Sequence, residues 1–229
     1  MEAAVGRALV FDVNETLLDL AALDPHFARV FGDAAVRREW FGQVLQTAFV
    51  STITGPYADF GAIGQAALDA VASKRQVSLA GADRDAIRAT MRALPPHPDV
   101  RPALERLRDA GFSLATLTNS TAAVAEAQLA HAGLRDLFAH VLSADTAQRL
   151  KPAPEPYRMA AAVLGVPIEE MRLIAAHGWD IAGAMRAGAP AAFVARPGQV
   201  LDPLFPAPDI IGADLGAVAD RIVERNTAG

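Results

Sequence analysis

The stretch Ala8-Leu9-Val10-Phe11-Asp12-Val13-Asn14-Glu15-Thr16-Leu17-Leu18-Asp19 decides the fold. Four apolar residues run up to an acid, and polar residues follow at once. A short apolar run of this kind reads as a strand buried on both faces of a parallel sheet. Asp12 then stands at the carboxyl end of the strand, where open α/β sheets place their binding crevices. A carboxylate there can attack a substrate, hold a metal or cap the next helix, and the strand end alone leaves all three open.

Beyond this stretch the pattern changes to helical spacing, from Pro25 to Leu94, with turn chemistry at Thr54-Gly55-Pro56 and Leu79-Ala80-Gly81. Phe27, Val30 and Phe31 share one face, as do Trp40, Val44, Leu45 and Ala48. Leu94-Pro95-Pro96-His97-Pro98 ends the helical region, because successive prolines cannot continue a helix. From there strands and helices alternate. Strands are expected over 112–117, 140–143, 172–176, 191–195 and 209–211, and helices over 101–110, 122–132, 155–164, 181–187 and 215–224. Such alternation implies right-handed crossovers and a parallel sheet. The expectation is an α/β protein: a doubly wound, Rossmann-like core domain over 1–18 and 97–229, with an all-helical cap domain over 19–96 inserted after the first strand.

Composition narrows the function. The net charge of -5 without a basic stripe argues against nucleic acid as a partner. No apolar run approaches the roughly 20 residues of a membrane span, and no signal-like segment opens the chain, so no membrane is expected and a cytoplasmic location is. The absence of cysteine removes disulfides and thiol nucleophiles together. Only Lys74 and Lys151 are lysines among the 21 basic residues. A lysine is a compact point charge with a tunable pKa, which suits a reacting carboxylate better than the planar fork of arginine does.

Three further stretches fall at strand ends. Leu114-Ala115-Thr116-Leu117-Thr118-Asn119-Ser120 brings a hydroxyl, an amide and backbone N–H groups to a corner before a helix, which can bind an anion or can simply cap that helix. Leu150-Lys151-Pro152-Ala153-Pro154-Glu155-Pro156-Tyr157 places the unusual lysine before a proline-rich turn, where a solvated surface lysine is the plainer reading. Leu173-Ile174-Ala175-Ala176-His177-Gly178-Trp179-Asp180 ends in a second acid, with His177 readable as a site residue or as a hydrogen-bonded core histidine.

Taken in order, the four stretches resemble the motifs of the haloacid dehalogenase superfamily, and the Trp179-Asp180 pair resembles its L-2-haloacid dehalogenase branch. The resemblance implies that Asp12 is the nucleophile, supported by Thr16. It implies that Lys151 keeps Asp12 ionised, and that Asp180 positions Lys151 or the hydrolytic water. It gives Asn14, Thr118, Asn119, Tyr157, His177, Trp179, Phe41 and Arg38 as substrate-binding positions. The superfamily's phosphatases carry a second acid where Asn14 stands, and an amide cannot lend a proton to a leaving alcohol. They also use magnesium held by acids at the fourth motif, where this chain offers Asp180 with His177 and Ala184.

The branch has an arginine that draws off the halide where Phe41 stands. Arg37 and Arg38 lie one helical turn earlier and are the candidates to replace it. The branch also has asparagine at the position of His177 and a hydroxyl near Ala175. These expectations amount to a metal-independent hydrolase of small 2-substituted carboxylic acids, first of all a 2-haloacid dehalogenase, working through a covalent aspartyl ester and needing no cofactor. Its partner is a small organic acid, with room for a homodimer. The alternatives are a small-metabolite phosphatase, the one reading that needs magnesium, and a non-catalytic relative that binds an organic acid. Fold alone does not choose among them.

Overall fold

Strand β1, Ala8–Phe11, is buried along its whole length. Leu9 and Phe11 enter one apolar core and Val10 the other, so the strand is covered on both faces, as its unbroken apolar run requires. The computed structural model describes residues 8–227, so residues 1–7 of the expected first core segment lie outside the described residues.

Around β1 lie β2 (Ser113–Thr118), β3 (His140–Ser143), β4 (Met171–Ala175), β5 (Ala191–Val194) and β6 (Ile210–Gly212). The sheet order is β3-β2-β1-β4-β5-β6, and every neighbouring pair is parallel. The order reverses at β1, and the crevice of a doubly wound sheet opens at such a reversal, beyond the carboxyl ends of its strands. Phe11 pairs in register with Thr116 of β2 and Ile174 of β4. The residues just after each strand therefore meet at one place.

Helices cover both faces. Helices α5 (Val100–Asp109), α6 (Ala122–His131) and α9 (Leu215–Thr227) pack on the Leu9 and Phe11 side, while α7 (Pro154–Leu164) and α8 (Gly178–Ala187) pack on the Val10 side. Gly165 and Gly188 end α7 and α8 in the left-handed conformation that a side chain resists. Helix α8 begins three residues before its expected start, because Gly178-Trp179-Asp180 forms its first turn instead of a loop.

Between β1 and α5 the chain builds a helical insertion from α1 (Asp24–Phe31), α2 (Val36–Thr54), α3 (Phe60–Lys74) and α4 (Gly81–Met91). The outgoing and returning connections lie side by side, with Asp19 N–H donating to Pro95 O at 2.8 Å and His97 N–H to Leu17 O at 3.0 Å. Within the insertion, Trp40 Nε1–H donates to Gly64 O at 2.9 Å, joining α2 to α3, and Phe27 packs on the same indole. Among the described residues no helix is long and apolar enough to cross a membrane.

Candidate active site

Asp12 follows β1 directly, and its N–H bonds to Ile174 O at 3.0 Å, so the end of β4 fixes its backbone. Its carboxylate is almost wholly buried and has three partners. Lys151 Nζ donates to Oδ1 at 2.9 Å; Thr16 Oγ1–H donates to Oδ2 at 2.7 Å; His177 Nδ1 lies 3.2 Å from Oδ2. Thr16 is itself fixed, since its Oγ1 accepts the Ala176 N–H at 2.9 Å.

Lys151 is fully buried. Its ammonium has three hydrogens and finds three acceptors: Asp12 Oδ1, Leu117 O at 2.8 Å and Asp180 Oδ2 at 2.6 Å. Asn119 grips the backbone of the same residue from both sides, accepting Lys151 N–H at 2.8 Å and donating to Lys151 O at 3.2 Å. Asp180 completes the chain by accepting the Tyr157 hydroxyl at 2.5 Å. Helix α8 comes this close to the Lys151-Pro152 turn because residue 183 is glycine. A Cβ there would lie 2.6 Å from Pro152 Cβ and 2.6 Å from the Tyr157 hydroxyl oxygen.

These contacts set the charges. Burial opposes ionisation of Asp12, but the Lys151 ammonium, then His177 and Thr16, outweigh it and hold the carboxyl well below the usual range. Burial likewise disfavours the charge on Lys151, and Asp12 and Asp180 more than restore it. Asp180 is pushed up, chiefly by burial, with Lys151 pulling against the rise. Tyr157 is pushed up by burial and by the Asp180 charge, so it remains a donor. For His177, burial favours the neutral ring. The hydrogen bonds to Asp12 and to Glu15 prevail and raise the group to about 9, making an imidazolium at neutral pH.

Glu15 is the residue that sequence reasoning missed. Its Oε2 lies 2.9 Å from His177 Nε2 and accepts Gln199 Nε2 at 3.1 Å. Its backbone is left-handed, with φ 61, an unusual state for a residue other than glycine that costs on the order of 1–3 kcal/mol. The Glu15 N–H bond to Leu18 O at 2.8 Å holds it there. Behind the same turn, Arg196 donates to Thr16 O from both Nε and Nη2 and forms a two-oxygen pair with Asp99. No local spacing announces these partners, because they come from distant segments.

The space facing Asp12 is small, about 10 Å³, room for roughly one water. Asn14, Thr118, Asn119, Lys151, His177, Trp179 and Phe41 line it together with Leu45 and Phe60. Asn14 is held at both ends, donating to Ser120 Oγ at 3.2 Å and accepting from Gln128 Nε2 at 3.1 Å. Thr118 Oγ1 accepts the Ser120 N–H at 3.1 Å, so that backbone group is not open to an anion as the corner suggested. Trp179 stacks on His177 with ring centres 5.2 Å apart, and its buried Nε1–H has no partner among the described residues.

Two expected site residues are not at the site. Arg38 is exposed on the outer side of α2, because the turn that aims Phe41 inward points residue 38 away. Tyr157 lies beneath Asp180, fully buried and outside the lining of the space, so it contacts the acid and not a ligand. Arg37 is buried but already engaged, with Nε 2.5 Å from Asp24 Oδ1 and Nη1 3.5 Å from Glu15 Oε1.

The family model of haloacid dehalogenase-like hydrolases matches residues 7–188, which span β1, the helical insertion and all the side chains gathered around Asp12 except Gln199 and Arg196. The chain belongs to that family. Within it, this hydrolase falls in the L-2-haloacid dehalogenase branch. An (S)-2-haloacid dehalogenase of Pseudomonas putida is 28% identical over 223 residues, covering 95% of this chain and 98% of that one. The L-2-haloacid dehalogenase of Xanthobacter autotrophicus superposes with a TM-score of 0.88 at 26% identity, over 94% of this chain and 98% of that one. The same enzyme with chloropropionic acid covalently bound superposes with a TM-score of 0.87 at 25% identity, over the same shares of the two chains.

Proposed function

We propose that this hydrolase converts small 2-substituted carboxylic acids to 2-hydroxy acids through an ester on Asp12, with 2-haloacid dehalogenation as its first reaction. The helical segment 19–96 serves as a cap over a core formed by 1–18 and 97–229. The observation that carries the reading is the pairing of Asp12. Oδ2 has two donors and Oδ1 one, so Oδ1 is the less engaged oxygen of a carboxylate that lines the small space. The covalent chloropropionic acid complex of the Xanthobacter enzyme supports the same chemistry here.

In the first step Oδ1 forms a bond to C2, and the bond from C2 to its substituent breaks, the substituent leaving with the electron pair. Trp179 Nε1–H, without a partner among the described residues, is the available donor for that anion in place of the missing arginine, and the His177 imidazolium, whose two ring nitrogens face Asp12 and Glu15, adds positive charge beside it. In the second step water adds to the carboxyl carbon of Asp12. Negative charge collects on Oδ2, where Thr16 Oγ1–H and His177 Nδ1–H already point. The Asp12–substrate bond then breaks at the carboxyl carbon, and Oδ1 leaves with the product as its hydroxyl. One water proton ends on that hydroxyl and the other is released to solvent.

The donor set does not fit the magnesium of the family's phosphatases. The ammonium of Lys151 fills the gap between Asp12 and Asp180, Asn14 and Ala184 replace acids, and His177 adds a second cation. Among the described residues no three His, Cys, Asp or Glu side chains converge as ligands. Parallel assays test the reading: halide release from 2-chloropropionate in EDTA, and phosphate release from simple esters with magnesium. Signal in the first supports it, and signal in the second alone contradicts it.

A further inference from the structure

A second cavity of about 400 Å³ lies between the insertion and the core, within the size range of small-molecule sites. Trp40, Val44, Leu68, Ile87, Met91 and Val124 give it an apolar wall contributed by α2, α3, α4 and α6. Phe41 and Phe60 line both this cavity and the small space at Asp12, so two aromatic rings are the partition between them. Ser120, also on the cavity wall, accepts a hydrogen bond from Asn14 at the site. Arg84, Arg88 and Arg92, four residues apart on one side of α4 and its end, line it as well. Arg84 and Arg88 are paired with Asp69 and Asp85, whereas Arg92 is exposed and forms no ion pair among the described residues.

The two volumes do not match a substrate of two or three carbons. The small space holds roughly one water, so a bound acid extends beyond it, and the apolar cavity at Phe41 and Phe60 is the adjoining volume, larger than so short a chain would use. We propose that this cavity receives the C2 side chain of the substrate past the Phe41–Phe60 partition, so that the preferred substrates are 2-substituted acids carrying a medium-length apolar chain or an aryl group. Arg92, which forms no ion pair among the described residues, attracts the anionic acid to the cavity, and the apolar wall selects its chain. The proposal rests on the reaction assigned above, and it concerns which acid that reaction takes.

The test is a series of 2-chloroalkanoates from propionate to decanoate, run with wild type, Val124→Trp and Gly64→Leu. Both substitutions fill the cavity away from the reacting groups, and a Cβ on Gly64 meets nothing nearer than Trp40 at 3.9 Å. Wild-type kcat/KM should climb by about fourfold per methylene until the cavity is full, the factor expected for burying one methylene. The two variants should abolish the climb and leave 2-chloropropionate unchanged. Binding of unreactive decanoate, followed by calorimetry, separates the cavity from the chemistry: it should weaken at least tenfold in Val124→Trp. Turnover of 2-chloropropionate with falling rates for longer acids would overturn the proposal and leave the reaction standing. Decanoate binding lost in Val124→Trp, in a protein that dehalogenates none of the series, would uphold the cavity as an apolar-acid site and remove the reaction. Decanoate binding unchanged in both variants would overturn the cavity assignment outright.

Discussion

Lys151 Nζ stands 2.9 Å from Oδ1 of Asp12, and neither side chain reaches bulk water to any extent. An ion pair in such a place is stable only if every donor is matched, and the three acceptors around Nζ meet that condition. Lys151→Arg should therefore fail. A planar fork cannot direct its hydrogens to three converging oxygens in a space shaped for a point charge. The expected loss in kcat/KM is on the order of 10²-fold or more. Steady-state kinetics on purified, folded variant checks it, and near-normal rates would take Lys151 out of the reaction.

His177 makes a pH prediction with a definite sign. Its pKa in the folded protein is raised from the ordinary 6.5 to about 9 by Asp12 and Glu15, which outweigh burial. Its contribution to stability is thus fully present below 6.5 and is lost as pH rises through about 9. If the imidazolium stabilises charge during the reaction, kcat/KM should hold level through neutral pH and fall above about 9. His177→Asn should lower the rate and erase that alkaline limb. Rate profiles of the two proteins, with urea unfolding at matched pH values, check both statements. An unchanged limb in the variant would assign it to another group.

Arg38→Ala should change kcat/KM by less than about twofold, since an exposed charge away from the site contributes little. Arg37→Ala should behave differently, because Arg37 ties Asp24 at the start of α1 to Glu15, and through Glu15 to His177. A loss of about 2 kcal/mol in stability is expected, as for other broken buried networks. The alkaline limb should also shift, because Glu15 would no longer be held against His177. Thermal unfolding and pH profiles separate this from a direct part in anion departure, which would lower kcat with the limb in place.

Gly183→Ala tests the packing beneath Lys151. The added methyl would meet Pro152 and the Tyr157 hydroxyl at 2.6 Å, and overpacking of this kind costs roughly 1–3 kcal/mol. Displacing the Lys151-Pro152 turn should also lower activity, though no reacting atom is touched. Denaturant unfolding with activity measurements checks the pair of effects, and a neutral substitution would show that the turn yields freely.

What was legible in the chain follows from how far each signal reaches. The six strands fall within a residue of their expected places, because an apolar run bounded by turn residues is a local property. Asp12, Lys151 and Asp180 were visible as groups at strand ends, and a parallel sheet with reversed order brings such ends together. Glu15 was not visible as a partner of His177, since that contact joins residues 162 positions apart and depends on a left-handed turn at a residue other than glycine. Arg38 was misplaced for a related reason. Spacing of three or four residues puts two side chains on one helical face, but it does not say how far that face extends toward the site. The need for glycine at 183 had no local sign, because it arises where two segments cross.

In the covalent route water attacks Asp12 after it has bonded to substrate, and in direct hydrolysis it does not. A single turnover of 2-chloropropionate in oxygen-18 water, with enzyme in excess, followed by mass spectrometry of the Asp12 peptide and of the product, reads this directly. The covalent route predicts label in Asp12 and a first product whose new hydroxyl carries the unlabelled Oδ1 oxygen. Label in the product with none in Asp12 would mean that water attacks C2 itself, and the ester on Asp12 would be ruled out.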